Sequence, residues 1–229
     1  MIACGNYGRD NGLPIIGLAG RKGAGKDTAA SLIQQHMRGW ERIAFADPIR
    51  AALSAMLEGF NFGYHLTPER KEQPIPGLHG QSARSLAQTL GTEWGRDCVH
   101  PDLWITLAMR QLDIAEQCDA TGAVITDVRF PNEAKVIRAS GGRVWWIEPN
   151  DRLPGTTDAH RSESSLSVHD IDRCIPNDTD IGDLGLRILQ ALAEDDYLRD
   201  TPPAGVDRPV GPSDAHLAAM IAVWSEFGR

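Results

Sequence analysis

The segment GLAGRKGAGKDT, residues 17–28, constrains the fold of this chain more than any other stretch of its sequence. It follows an apolar run at residues 13–19, which contains two adjacent isoleucines and predicts a buried parallel strand. It precedes residues 27–38, where Ala, Leu, Ile and Met recur at helical spacing. A strand, a glycine-rich loop and a helix in this order form the local context of a phosphate-binding loop.

Gly20, Gly25 and Lys26 have the spacing of such a loop. Glycines let backbone N–H groups converge on phosphate oxygens, the lysine neutralises the β- and γ-phosphates, and the helix N-terminus adds its dipole. The next position usually holds Ser or Thr, but here it is Asp27, followed by Thr28. An aspartate is compatible with phosphate there if magnesium or its bound water lies between them, or if the side chain points away. The alternative for the whole segment is a glycine-rich turn that caps a structural helix.

Apolar strands alternate with helices along the rest of the chain. The sequence predicts further strands at 42–46, 123–127 and 143–149, a short one ending at 175–178, and helices at 48–57, 81–96, 101–118, 132–139 and 181–193. Residues 59–81 are rich in Gly, Pro and charge and predict a long loop. The alternation predicts an α/β fold of the P-loop NTPase type, a doubly wound parallel five-stranded sheet with helices on both faces.

Composition shifts divide the chain into a core and flanking segments. We predict an N-terminal lead at 1–12 and a phosphate-loop domain at 13–196, with a helical insertion at 59–118 that binds substrate or closes over it. A Pro/Gly-rich linker follows at 197–214. Residues 215–229 predict an amphipathic helix that packs either on the domain or on another subunit, which leaves a homodimer open.

The bulk composition is that of a soluble globular protein, with 41% hydrophobic and 24% charged residues among 229. The net charge of −8 gives no global attraction to nucleic acid or to an anionic membrane, so phosphate chemistry needs a local cluster of cations. Four scattered cysteines without CxxC spacing fit reduced cytosolic thiols better than disulfides or a zinc site. No apolar run reaches the ~20 residues of a membrane span, and no export signal is visible, so we expect a cytoplasmic protein.

Charged side chains follow the predicted strands. Asp127 ends an apolar strand and Arg129 comes two residues later, at the end of the sheet where α/β proteins gather ligands. The carboxylate can hold magnesium and the guanidinium can clamp a phosphoryl group; the alternative is an ion pair that caps the next helix. Arg50 lies just past the second strand and Lys71 in the long loop, where each either reaches a substrate phosphate or is a solvated charge.

The predicted helix at 81–96 contributes a second group. Arg84 lies on the same helical face as Gly91, and Gly91 and Thr92 mark an end or kink where the backbone can approach a base or sugar. Trp104 follows, either as a stacking partner for a base or as an ordinary core residue. His160, Ser162 and Glu163 lie in a polar stretch at 150–170 and look like surface residues on their own.

The ordered set of these stretches, over roughly residues 15–192, resembles the bacteriophage-type deoxynucleoside monophosphate kinases of the P-loop nucleoside monophosphate kinase superfamily. The matching elements are GLAGRKGAGKDTAA, FADPIR, ARSLAQTLGTEWGRD with DLWITL, ITDVRFPNEA with GGRVWWIEP, HRSE and IPNDTDIGDL. The GKDT form of the loop is typical of that family, so Asp27 is a family trait there. The resemblance implies transfer of the γ-phosphoryl group of ATP, with Mg²⁺, to a deoxynucleoside 5′-monophosphate for phage DNA precursor synthesis.

The resemblance also implies roles for individual residues. The ATP phosphates would be held by Gly23, Ala24, Gly25, Lys26, Asp27 and Thr28. The monophosphate substrate and the migrating phosphoryl group would be held by Lys22, Arg50, Lys71, Arg84, Gly91, Thr92, Trp104, Asp127 and Arg129. Among these, Lys26, Lys22 and Arg129 would be catalytic, and Asp27 and Asp127 would serve the metal. The Asn-Asp of IPND would lie near the adenine of ATP.

Two other functions stay open at this point. Dephospho-coenzyme A kinase has a related fold and a similar loop but a different acceptor. A nucleotide-binding regulatory module without turnover is the alternative from another class, although a binder of one nucleotide needs fewer cations at its strand ends. In a kinase, positioning and charge neutralisation provide most of the catalysis, so no dedicated general base is required.

Overall fold

The computed structural model describes residues 13–149 and 165–198 of the chain. They form two compact units: a sheet unit, made by the residues up to Ile43 together with those from Arg110 onward, and a helical unit, Ala44–Met109. The predicted N-terminal lead, the segment around His160 and the C-terminal helix lie outside the described residues, as does most of the linker, so the predicted homodimer stays a prediction. No helix within the described ranges is long and apolar enough to cross a membrane.

The sheet unit contains five parallel strands. They are β1 (Ile15–Ala19), β2 (Trp40–Ile43), β3 (Gly122–Val128), β4 (Arg143–Pro149) and β5 (Arg173–Asn177). Their order across the sheet is β2-β3-β1-β4-β5, and each adjacent pair is parallel. The predicted α/β class with a doubly wound, five-stranded parallel sheet is therefore confirmed.

Helices cover both faces of this sheet, and the alternation along β1 shows it. Ile16 and Leu18 belong to the fully buried cluster that includes residues of α1 (Lys26–His36) and α6 (Ile181–Glu194). Gly17, between them, points to the opposite face, where Ile137 of α5 (Pro131–Ala139) packs against it. Burial of each such aliphatic side chain stabilises the fold by about 1.5–3 kcal/mol.

The helical unit has α2 (Asp47–Met56), two short 3₁₀ helices (Glu58–Phe60 and Phe62–Leu66), α3 (Ala83–Gln88) and a π-helix (Thr89–Val99). Residues 59–81 are thus not simply a loop. The predicted second strand at 42–46 ends at Ile43, because the Asp47 carboxylate accepts the Ala44 N–H (2.8 Å) and the chain turns there into α2. Helix α4 (Leu103–Gln117) follows, as predicted, after the π-helix.

The predicted single helix at 81–96 is wrong in its second half. After α3 the chain widens into the π-helix, which buries Gly91 and Gly95. A Cβ at Gly95 would lie 2.4 Å from the Trp104 ring, and the Trp104 indole N–H donates to the Gly91 carbonyl (2.6 Å). The ring therefore packs directly on the backbone of this segment. Local propensity contains no sign of this contact, because it depends on a side chain of the following helix.

Candidate active site

The glycine-rich loop joins β1 to α1 and lies against two other strands of the sheet unit. Gly20, Gly23 and Gly25 have φ angles of 146°, 79° and 91°, in the region that favours glycine. A Cβ at Gly20 would lie 2.6 Å from the Ile147 carbonyl oxygen of β4, and one at Gly25 would lie 2.4 Å from the Asn177 amide nitrogen of β5. Neighbouring strands therefore shape this loop, which a simple helix-capping turn would not require.

Lys26 is the first residue of α1, and its side chain turns back into the loop. The ammonium group donates to the carbonyl oxygens of Gly20 (2.8 Å) and Arg21 (2.9 Å). Thr28 is partly buried in the same first turn, whereas Lys22 is exposed at the loop tip. The loop thus combines a helix N-terminus with a lysine and a hydroxyl, which are the groups that commonly bind phosphate.

Asp27 forms an ion pair with Arg42 of β2, a residue that the sequence reasoning missed. Its side chain is 86% exposed. Of the two alternatives for an aspartate at this position, the pairing favours the one in which the carboxylate points away from the phosphates. No sequence motif marks Arg42 as the partner of Asp27. The pair becomes visible only when α1 is packed beside the edge strand β2.

The carboxyl end of β3 lies next to the start of the loop. Ala19 of β1 pairs with Val128 of β3, so Gly20 and Arg129 leave the sheet as neighbours at the same edge. Asp127, one residue before Val128, is 8% exposed. The sheet thereby brings the predicted Asp127 and Arg129 to the phosphate loop, as expected for parallel strands.

A second residue missed from the sequence, Glu133, caps helix α5 just beyond. Its side chain is 2% exposed, and its carboxylate accepts the backbone N–H groups of Arg129 (2.7 Å) and Phe130 (3.0 Å). Glu133 therefore binds the backbone at the start of this helix, in addition to whatever Asp127 and Arg129 contribute there. A capping box with Glu at its third position was the available signal, but its first residue here is a phenylalanine.

The last residue of β5, just before the turn into α6, contacts the phosphate loop. The Asn177 side-chain amide donates to the Ala24 carbonyl (2.9 Å), and Ala24 is 1% exposed. Arg187 of α6 holds the turn by donating to the Pro176 carbonyl (2.7 Å) and to the Asp178 carboxylate (2.6 Å). That hydrogen bond lowers the pKa of the Asp178 carboxyl below its usual value. Asn177 was expected near the adenine, and the structure places its amide on the loop itself.

In the helical unit, the structure places Lys71 and Arg84 together. The backbone N–H of Arg84 donates to the backbone carbonyl of Lys71 (2.9 Å). The Arg84 guanidinium lies 3.5 Å from the Glu72 carboxylate. The Arg84 side chain is only 15% exposed, so it is not merely a solvated charge. Arg50 bonds to Asp47 (2.8 Å) one turn away in α2, and it is about half exposed.

Gly91 and Thr92 are buried in the π-helix, and Trp104 is 4% exposed. Because the Trp104 ring packs on Gly95 and its N–H is bonded to the Gly91 carbonyl, the ring supports the backbone that was expected to approach a base or sugar. Its burial favours the core interpretation over direct stacking on a base. Trp94, which is half exposed, lies beside it with ring centroids 6.5 Å apart.

The chain is similar to known nucleotide kinases. Residues 71–188, just over half of the chain, match the family model described as deoxynucleotide monophosphate kinase. A protein of Acanthamoeba polyphaga mimivirus named putative deoxynucleotide monophosphate kinase is 32% identical over 78% of this chain and 95% of its own length. The deoxynucleoside-5′-monophosphate kinase of Escherichia phage T5 is 28% identical over 54% of this chain and 71% of its own length.

Two solved structures are similar at lower identity. Dephospho-CoA kinase from Campylobacter jejuni is 14% identical, with a TM-score of 0.42 over 79% of this chain and 96% of that one. The TT1252 protein from Thermus thermophilus is 16% identical, with a TM-score of 0.44 over 80% and 98%. The family model and the mimivirus relative, taken with the loop and its surroundings, show that this chain belongs to the deoxynucleotide monophosphate kinase family.

Proposed function

We propose that this protein transfers the γ-phosphoryl group of ATP to a deoxynucleoside 5′-monophosphate, giving the deoxynucleoside diphosphate and ADP. The observation that carries the proposal is that Lys26 binds the carbonyl of Gly20, and Gly20 leaves the sheet beside Arg129, in a chain that belongs to this kinase family. The loop, with its helix N-terminus, Lys22 and Lys26, would bind the donor phosphates. A guanidinium at the adjacent strand end adds the charge needed to stabilise a phosphoryl group in transit.

The sheet unit supplies the donor site in this proposal. The backbone N–H groups of Gly23, Ala24 and Gly25 would surround the ATP phosphates, with the Thr28 hydroxyl beside them. Lys26 would exchange its two carbonyl partners for β- and γ-phosphate oxygens, since a charged acceptor gives the stronger hydrogen bond. Lys22, exposed at the loop tip, would bind the migrating phosphoryl group.

The helical unit supplies the acceptor site. Arg50, Lys71 and Arg84 would bind the acceptor phosphate, because a dianion in a chain of net charge −8 needs a local group of cations. Gly91 and Thr92, which lie in the π-helix, would contact the base and sugar. Trp104 would act indirectly, by holding the Gly91 carbonyl in place.

Mg²⁺ fits the donor set at the carboxyl end of β3. This ion usually takes one or two carboxylates together with substrate phosphates and water. Asp127 offers a carboxylate at that strand end, beside the start of the phosphate loop. The carboxylate of Asp27, the other predicted ligand, is directed to Arg42 of β2 instead. We therefore assign Mg²⁺ to Asp127, where the bound ion would neutralise charge on the donor phosphates.

The chemistry follows from position and charge. An oxygen of the acceptor monophosphate forms a bond to the γ-phosphorus while the bond to the β–γ bridging oxygen breaks, and ADP leaves with that electron pair. The transition state is loose, with negative charge on the peripheral oxygens. Arg129 and Lys22 would neutralise this charge, and Lys26 would stabilise the leaving ADP.

The test is a coupled assay of ADP release with ATP, Mg²⁺ and a panel of acceptors, run on wild type, Lys26→Ala and Lys135→Ala. We expect turnover with at least one deoxynucleoside monophosphate, a loss of at least about a hundredfold in Lys26→Ala, and wild-type rates in Lys135→Ala, which removes an exposed lysine of α5. The panel includes ribonucleotides and dephospho-coenzyme A. Turnover with dephospho-coenzyme A alone would contradict the proposed acceptor, and ATP binding without any turnover would indicate a regulatory module.

A further inference from the structure

We propose that Glu133 is a positioning residue for phosphoryl transfer, which acts by fixing the backbone of Arg129. The inference rests on the proposed kinase function and adds a residue that the family resemblance did not bring out. Glu133 is the least exposed charged residue in the described part of the chain, at 2%. It lies in the first turn of α5, which begins two residues after Arg129.

One carboxylate oxygen of Glu133 holds the turn between β3 and α5. Its Oε2 accepts the N–H of Arg129 at 2.7 Å and the N–H of Phe130 at 3.0 Å. Hydrogen bonds to an ionised acceptor are about twice as strong as those between neutral groups. The two peptide groups that flank Arg129 are therefore held by a single buried side chain.

The carbonyl side of Arg129 is also held. Its oxygen accepts the Ser165 N–H at 2.9 Å, and the Ser165 hydroxyl lies 3.4 Å from the same oxygen. The pairing of Ala19 with Val128 places this residue beside Gly20, at the start of the phosphate loop. With both its N–H and its C=O bonded, Arg129 presents its side chain from a fixed backbone direction.

Helix capping alone is a poor explanation for this carboxylate. A Ser, Thr, Asp or Asn at the position before the helix, the usual cap, accepts an N–H of the second or third helical residue. Glu133 instead binds the N–H groups of Arg129 and Phe130, the two residues that precede the helix. A carboxylate that is almost completely buried carries a desolvation cost that such a cap avoids. The cost is reasonable where a catalytic guanidinium has to be held to within a fraction of an ångström, because small displacements reduce the rate strongly.

The first experiment compares Glu133→Ala and Glu133→Gln with a matched control, Asp172→Ala. The Asp172 carboxylate also accepts a backbone N–H, that of Val144 (2.8 Å), but at the amino end of β4, away from the loop edge of the parallel sheet. All variants are assayed well below their melting temperatures. We expect kcat to fall at least about tenfold in Glu133→Ala, less in Glu133→Gln, whose amide oxygen can still accept both N–H groups, and less than twofold in Asp172→Ala.

The second experiment tests whether Glu133 acts through Arg129. In an Arg129→Ala background, where the guanidinium is gone, Glu133→Ala should change kcat less than twofold further. The inference is overturned if both Glu133 variants keep wild-type kcat, if Arg129→Ala itself has no effect, or if the Glu133→Ala loss persists in full without Arg129. If Glu133→Ala does not fold, the cycle is run with Glu133→Gln. A wild-type protein that turns over no monophosphate would overturn the proposed function instead, and the inference with it.

Discussion

Gly25 is the residue at which the phosphate loop approaches β5, the strand at one edge of the sheet. It combines a φ of 91° with a close approach to Asn177, whose side chain in turn bonds to the preceding carbonyl, that of Ala24. The left-handed backbone and the steric contact act independently. A side chain here would strain the backbone and also push Asn177 off the loop.

We therefore expect Gly25→Ala to destabilise the protein by about 2–5 kcal/mol, the sum of roughly 1–2 for the left-handed backbone and 1–3 for the overlap. It should also raise the KM for ATP. Gly141→Ala is the control, because Gly141 has a φ of 80° but no atom within 4 Å of its added Cβ. Urea denaturation measures the free energy of unfolding of both variants, and initial rates at varied ATP concentration measure the KM. Equal losses in the two variants would show that the Asn177 contact contributes nothing.

The π-helix at Thr89–Val99 is the element in which tertiary contacts override local preference. Its sequence, TLGTEWGRDCV, has nothing that forbids an ordinary α-helix except its two glycines. The Trp104 ring occupies the space beside Gly95 that a side chain would fill, and its N–H takes up the Gly91 carbonyl. Unusual helices of this kind are frequently found at functional sites, which agrees with the assignment of Gly91 and Thr92 to the substrate.

We expect Gly95→Ala to cost about 1–3 kcal/mol of unfolding free energy, because its Cβ would overlap the ring of Trp104, which is buried and bonded to the Gly91 carbonyl. Gly63→Ala, in a short 3₁₀ helix of the same unit, has no atom within 4 Å of its added Cβ and should change stability by no more than about 0.5 kcal/mol. Denaturant titration followed by tryptophan fluorescence compares the two. Similar midpoints for both variants would contradict the packing argument.

At the scale of the whole molecule, the residues directly after α6 contact the amino ends of several strands. The Tyr197 hydroxyl donates to the Ile15 carbonyl (3.0 Å), and its ring makes edge contacts with Trp40 and Trp145. Burial, and then the nearby Asp195 carboxylate, raise the pKa of Tyr197 well above its usual value. The folded state therefore disfavours the tyrosinate.

This pKa shift predicts a loss of stability at alkaline pH. Since the unfolded tyrosine ionises near pH ~10 and the folded one only at higher pH, the contribution is complete below pH ~10 and decreases above it. The difference in unfolding free energy between wild type and Tyr197→Phe should shrink by about 1.4 kcal/mol between pH 9 and pH 11. Denaturation of both proteins at the two pH values measures it. A difference independent of pH would mean that Tyr197 ionises as easily folded as unfolded.

Several features of this protein could be predicted from local sequence because their causes are local. The apolar run before Gly20 requires burial, and the strand and helix alternation along the sheet unit follows from the same patterning. The parallel sheet then places Asp127 and Arg129 at the edge where the loop begins, which is a property of the fold class. The family resemblance identified the deoxynucleotide kinase class, and the comparisons confirm it.

The sequence by itself determined the phosphate loop, the five-stranded parallel sheet and the family, since glycine spacing and hydrophobic period are carried by residues close together in the chain. Only the tertiary structure decided which side chains hold that loop and its neighbours in place. Asn177 and Ala24 are 153 residues apart, Arg42 meets Asp27 from another strand, and Trp104 remodels the helix before it. No local pattern encodes such pairs, because each depends on how separate elements pack in three dimensions.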